Sequence, residues 1–206
     1  MRTSFLVTSA LALSCAASAQ IWTEEGDAGM LPETAQFTIG FGALTQIDGN
    51  LAPTDVDLYT IMVVNIAKFS ATMTGTGFEY VQLMLFKMDG TGVTLYSTVP
   101  GGKSNEAVIT GQFVDAKGQY LLGISYWNND ARSTIGEIWT SDPFYEERQP
   151  DGFGSAGPLF QWELNDSPDF DYSIVLTGTE YSGVPEPGTM VCLAAGLVAM
   201  VARRKR

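Results

Sequence analysis

The stretch Gln119-Tyr120-Leu121-Leu122-Gly123-Ile124-Ser125-Tyr126-Trp127 decides the fold class. Tyr120, Leu122, Ile124 and Tyr126 recur at a period of two, the mark of a half-buried β-strand. Tyr59, Ile61 and Val63 repeat the pattern within 57–64. Working outward, further short apolar and β-branched runs lie at 36–40, 69–74, 80–88, 93–98, 107–112 and 172–177, separated by Gly, Asn and Asp. No long segment between residues 36 and 180 carries the 3.6-residue period of an amphipathic helix. Asp89-Gly90 sits between two of the runs and predicts a hairpin. Many short strands with regular turns predict an all-β chain, a single β-sandwich or jelly-roll domain over residues 20–180.

Charge and composition narrow the function. Between Gln20 and Pro187 six cations face all 23 acids of the chain, a net −17. Such a surface repels nucleic acid and anionic lipid and attracts divalent cations. The chain has no histidine, and its two cysteines, Cys15 and Cys192, lie outside the strand-bearing body. The Ser-His-Asp and Cys-His nucleophile arrangements are thereby excluded, and no disulfide staples the body. Paired carboxylates would still suffice for glycoside hydrolysis, with Glu137, Glu146, Glu147 and Glu163 available. Nothing in the sequence sets any two of them at a useful separation, so the reading is non-catalytic, with an acid-only glycosidase behind it.

The two ends read as an address. Arg2, an uncharged run from Phe5 to Ala17, and small residues at Ala17 and Ala19 predict a signal peptide over 1–19, cut by signal peptidase after Ala19. A buried N-terminal helix and lipoprotein processing at Cys15 are the alternatives. At the other end, Thr189 to Ala202 is uncharged, and Arg203, Arg204, Lys205 and Arg206 follow. A helix of that run is about 21 Å long, short of the roughly 30 Å bilayer core. Extended to about 188–202 it predicts a marginal transmembrane helix, with the four cations as a cytoplasmic stop. Pro185 and Pro187 deny the preceding segment a helix and keep it extended for a protease.

Val184-Pro185-Glu186-Pro187-Gly188-Thr189, an apolar run and terminal Arg/Lys together resemble the PEP-CTERM sorting signal of Gram-negative bacteria. The same tail also carries the family label "ice-binding protein C-terminal", which names the tail and not an activity. The resemblance covers 181–206 and implies recognition of Pro185, Glu186 and Pro187 by an exosortase. It further implies a transient stay in the inner membrane, removal of the anchor, and delivery to the cell surface or beyond, often beside exopolysaccharide. An ordinary single-span tail anchor is the alternative.

A looser likeness runs through the body. Gly49, then Asp55-Val56-Asp57-Leu58-Tyr59, then Leu83-Met84-Leu85-Phe86 with Asp89-Gly90, then Gly118 to Ile124, then Asp171 to Gly178 follow an order similar to the bacterial pre-peptidase C-terminal domain. That family, a small β-sandwich, implies over 36–180 a non-catalytic accessory or binding module and names no ligand. The chain departs from it by an insertion at 128–170.

The insertion is the least regular part of the sequence, and a loop of such length is usually functional or disordered. Trp139 and Trp162 within it are candidates for a sugar-stacking platform, although they would equally cover an edge of the sandwich. Asp55 and Asp57 are candidate calcium ligands, joined by Asp48 or by Asp166, Asp169 and Asp171. Asp55 is equally suited to capping the turn before its strand. The expectation is an exported, non-catalytic surface or matrix protein; the alternative is a calcium-dependent carbohydrate-binding module.

Overall fold

The computed structural model describes residues 20–74, 80–99, 106–166 and 168–183. The predicted signal peptide with Ala17 and Ala19, the transmembrane helix, Pro185, Glu186 and Pro187, and the four terminal cations lie outside them. The described residues are all-β: β1 (Ile21–Thr23), β2 (Gln36–Phe37), β3 (Gln46–Leu51), β4 (Val56–Val63), β5 (Ser70–Thr74), β6 (Val81–Lys87) and β7 (Gly92–Ser97), followed by β8 (Val108–Thr110), β9 (Gly118–Tyr126), β10 (Asp130–Ser133), β11 (Gly136–Glu137), β12 (Gln161–Glu163), β13 (Phe170–Thr177) and β14 (Thr179–Tyr181). Two single 3₁₀ turns, Ile66–Lys68 and Gly111–Phe113, are the only helical segments among them, and neither is long enough to cross a membrane.

The first sheet runs β1-β3-β13-β5-β8 and the second β14-β4-β9-β6-β7, with β2 added parallel to β4. The quoted stretch is the centre of the second sheet: β9 pairs antiparallel with β4 on one side and β6 on the other, setting Leu122 opposite Tyr59 and Leu85. Tyr59, Ile61, Leu83, Leu85, Leu122 and Ile124 meet Ile47, Met73 and Ile174 of the first sheet in one buried core. The predicted hairpin joins β6 and β7, where Gly90 takes φ +85°, Gly90 N–H donates to the Lys87 carbonyl and Thr91 N–H to Asp89 Oδ1.

The expectation of half-buried strands needs correction. The alternate residues Leu58, Met84, Phe86 and Leu121 are buried too, in a second core with Ile138, Trp139, Leu159 and Trp162. These last four come from the insertion. It is not an irregular loop: it carries a third sheet, β11-β10-β12, laid on the outer face of the second. Arg148 exchanges both backbone hydrogen bonds with Leu95 of β7, and Leu159 N–H donates to the Gly90 carbonyl, so the insertion is also tied to the sheet edge. Strands covered on both faces lose the solvent row that enforces alternation, which is why VQLMLF in β6 is buried throughout and apolar but for Gln82, whose amide is hydrogen-bonded to Asp130 and Ser125.

Both ends of this body leave one corner. The Tyr181 hydroxyl donates to the Ile21 carbonyl at 3.2 Å, and Gly183 bridges to Ile39.

Candidate functional site

The first turn after β1 is unusually acidic, TEEGDAG at 23–29. Glu24 N–H donates to the Asp48 carbonyl at 2.8 Å and prolongs the parallel pairing of β1 with β3. The chain then reverses with Gly26 and Gly29 in the left-handed region, φ +76° and +64°, a conformation cheap only for glycine. Glu24 is fixed within the turn, Oε1 accepting from Ala28 N–H at 3.0 Å and Oε2 from Asn50 N–H at 2.9 Å. Asp27 Oδ1 accepts from Gly29 N–H at 3.2 Å and stays exposed. Gly49 makes room: a Cβ there would collide with the Tyr172 hydroxyl and lie 2.8 Å from Glu24 Oε2.

Beneath this turn lies Asp57, the second residue of β4. The strand period puts it on the side of Tyr59 and Ile61, facing the space between the sheets, and it is fully buried. Tyr172 donates its hydroxyl to Asp57 Oδ2 at 2.5 Å, and the Tyr59 and Tyr172 hydroxyls are 2.6 Å apart. Asp57 Oδ1 has no hydrogen-bond partner among the described residues. One carboxylate oxygen each of Glu24, Asp27 and Asp57 lies within 4.8 Å of the others. Asp55, half-buried beside them, accepts from Val56 N–H at 2.8 Å. No lysine or arginine pairs with these four carboxylates among the described residues.

The electrostatics follow from that crowding. Burial pushes the Asp57 carboxyl up to about 8, with Glu24, Asp55 and Asp27 adding to the rise against the Tyr172 hydrogen bond. Burial likewise raises Glu24 and Asp55, opposed by backbone N–H donors. An acid whose folded value exceeds its ordinary 3.8 stabilises the fold fully below that value and loses the contribution as pH climbs toward about 8. In chelator, therefore, the melting temperature should fall more between pH 5.5 and 8.5 for the natural sequence than for Asp57→Asn. Equal slopes in the two would refute the assignment.

The structure sorts the remaining sequence candidates. Of the pair Asp55 and Asp57, only Asp57 joins the close cluster, and its companions are Glu24 and Asp27 rather than those expected. Asp48 accepts from Ser173 Oγ at 2.6 Å, whereas Asp169 and Asp171 converge on Asn50 Nδ2, at 2.7 and 3.0 Å. Trp139 and Trp162 are 4% and 8% exposed, so neither offers a ring face to a sugar; both pack edge-on to Phe86 in the second core. The exposed aromatics of the insertion are Phe153 and Phe160, both large and apolar without a polar edge. Glu137 and Glu163 are both paired with Arg132, and Glu147 accepts from Thr110 N–H at 2.7 Å and from the hydroxyls of Thr110 and Thr94, at 2.6 and 3.2 Å. Glu24 and Asp27 are not legible as site residues from sequence, because they lie in a turn 30 or more residues before Asp57. The acid and glycine run EEGDAG marks a turn, and which of its carboxylates approach Asp57 is set only by the fold.

The last described residue, Gly183, closes the β-structure, and the remaining chain carries the Pro-Glu-Pro, the apolar run and the terminal cations. Residues 183–206 match the PEP-CTERM protein-sorting motif. The PEP-CTERM motif indicates an exosortase-targeted protein that is exported through the membrane to the cell surface. It begins where the β-structure stops, so address and body are separate stretches of the chain. No curated protein matches the chain.

Proposed function

We propose that this is a non-catalytic structural component of the cell surface or extracellular matrix, acting by contact beside exopolysaccharide. In this reading the chain is exported on a signal peptide ending at Ala19. A helix over about 188–202 holds it transiently in the inner membrane, with Arg203, Arg204, Lys205 and Arg206 on the cytoplasmic side. An exosortase reads Pro185, Glu186 and Pro187 and removes the anchor. The observation that carries the reading is the PEP-CTERM match over 183–206. Its non-catalytic part is supported by the absence of histidine and by three of the four candidate glutamates, Glu137, Glu147 and Glu163, each of which already has an oxygen in a hydrogen bond or ion pair.

Intact mass of protein extracted from the cell surface is the test. The expected species starts at Gln20 and lacks the four terminal cations. A surface species that still ends in RRKR would overturn the sorting step, and one that still begins at Met1 would overturn the signal peptide. Release of reducing sugar from the strain's own polysaccharide by the purified protein would overturn the non-catalytic reading.

A further inference from the structure

We infer that Glu24, Asp27 and Asp57 form a calcium site that clamps the N-terminal turn onto the β-sandwich, independently of how the chain is exported. An acidic cluster alone does not make a cation site, since most such groups are solvated. The deciding observation here is Asp57, a fully buried carboxylate with Oδ1 unpartnered, an oxygen of which lies within 4.8 Å of Glu24 and Asp27 ligand atoms. A buried polar atom without a partner is rare and costly, and calls for an ion or water. No cationic side chain reaches the group among the described residues. A divalent ion would supply the missing charge.

The donor set selects the ion. All three side chains offer hard oxygen and none offers nitrogen or sulfur, which favours calcium or magnesium over zinc or copper. The ligands come from an exposed turn and a rigid strand, thirty-odd residues apart in the chain, a mixed geometry that suits the flexible six-to-eight-oxygen shell of calcium better than the strict octahedron of magnesium. Asp55, half-buried nearby, adds negative potential without ligating. A body without cysteine has no covalent staple, and a metal bridge between its first turn and β4 would serve in that place. Extracellular modules bind calcium at about 0.1–1 mM, so the clamp would close only once the protein has left a calcium-poor cytosol.

The test is terbium luminescence on the full chain, purified in detergent and stripped with chelator. Tyr172 is hydrogen-bonded to Asp57, so a lanthanide held there is excited through a tyrosine. Expected are tyrosine-sensitised emission saturating near one equivalent, displacement by millimolar calcium, and affinity at least about tenfold weaker in Asp27→Asn. Asp27 is exposed, so that variant should fold; Asp57→Asn provides the second. Calcium should also slow cleavage after Glu24 and Glu25 by a glutamate-specific protease in the natural sequence and not in Asp27→Asn. Absence of sensitised emission, or unchanged affinity in both variants, would overturn the site. Cleavage rates indifferent to calcium would overturn the clamp.

Discussion

Trp162→Ala is expected to destabilise the protein by about 3–5 kcal/mol, the range for removing a buried tryptophan. The indole is 8% exposed, its ring centroid lies 6.2 Å from that of Phe86 at an interplanar angle of 85°, and its N–H donates to the Met30 carbonyl at 2.6 Å. Alanine would leave a cavity over the outer face of the second sheet and a carbonyl without its donor. Phe160→Ala, two residues away and largely exposed, should change stability by no more than about 0.5 kcal/mol. Denaturant unfolding of both variants decides the matter. If residues 128–170 were a peripheral loop, the two substitutions would cost the same. A lower denaturant slope in Trp162→Ala would add that the third sheet detaches before the rest, exposing less surface in the main transition.

Arg148→Ala is expected to cost about 2–3 kcal/mol, below the full 3–5 kcal/mol of a wholly buried pair because Asp151 is 40% exposed. The guanidinium is nearly buried and joins two parts of the insertion: one nitrogen donates to Asp151 and to Thr140 Oγ1, another to the Thr140 carbonyl. Lysine cannot span these acceptors with one ammonium, so Arg148→Lys should recover less than half of the loss. Arg132 makes a useful contrast. It is more exposed and pairs with Glu137 and Glu163, and Arg132→Ala should cost no more than about 1 kcal/mol. Equal losses for the two arginines in urea melts would contradict this account.

How far the sequence foretold the molecule depended on what each residue faces. The windows at 57–64, 80–88, 93–98 and 119–127 coincide closely with β4, β6, β7 and β9, because buried strands concentrate apolar residues. β3 is not legible from sequence: QIDGNL carries the turn formers Asp, Gly and Asn, and only Ile47 and Leu51 within it are buried. β10 and β12 are hidden for a related reason. Each has a single buried large side chain or less among polar neighbours, and each becomes a strand by pairing with the other across Ala131 and Trp162. The aromatic richness of the insertion was visible, but sequence does not say whether an aromatic faces ligand or core. Asp57 is a candidate in the sequence, and the structure places it in the close carboxylate cluster. Its companions depended on where the turn at 24–29 lands, and that is fixed by the pairing of β1 with β3.

The bond from the Tyr181 hydroxyl to the Ile21 carbonyl holds the two ends of the described β-structure together. One end belongs to the first sheet and the other to the second, so this contact also couples the two sheets at their margins. Under the reading proposed above, whatever leads into Gln20 and whatever follows Gly183 would issue side by side, and the body would be tethered at one place and not at two.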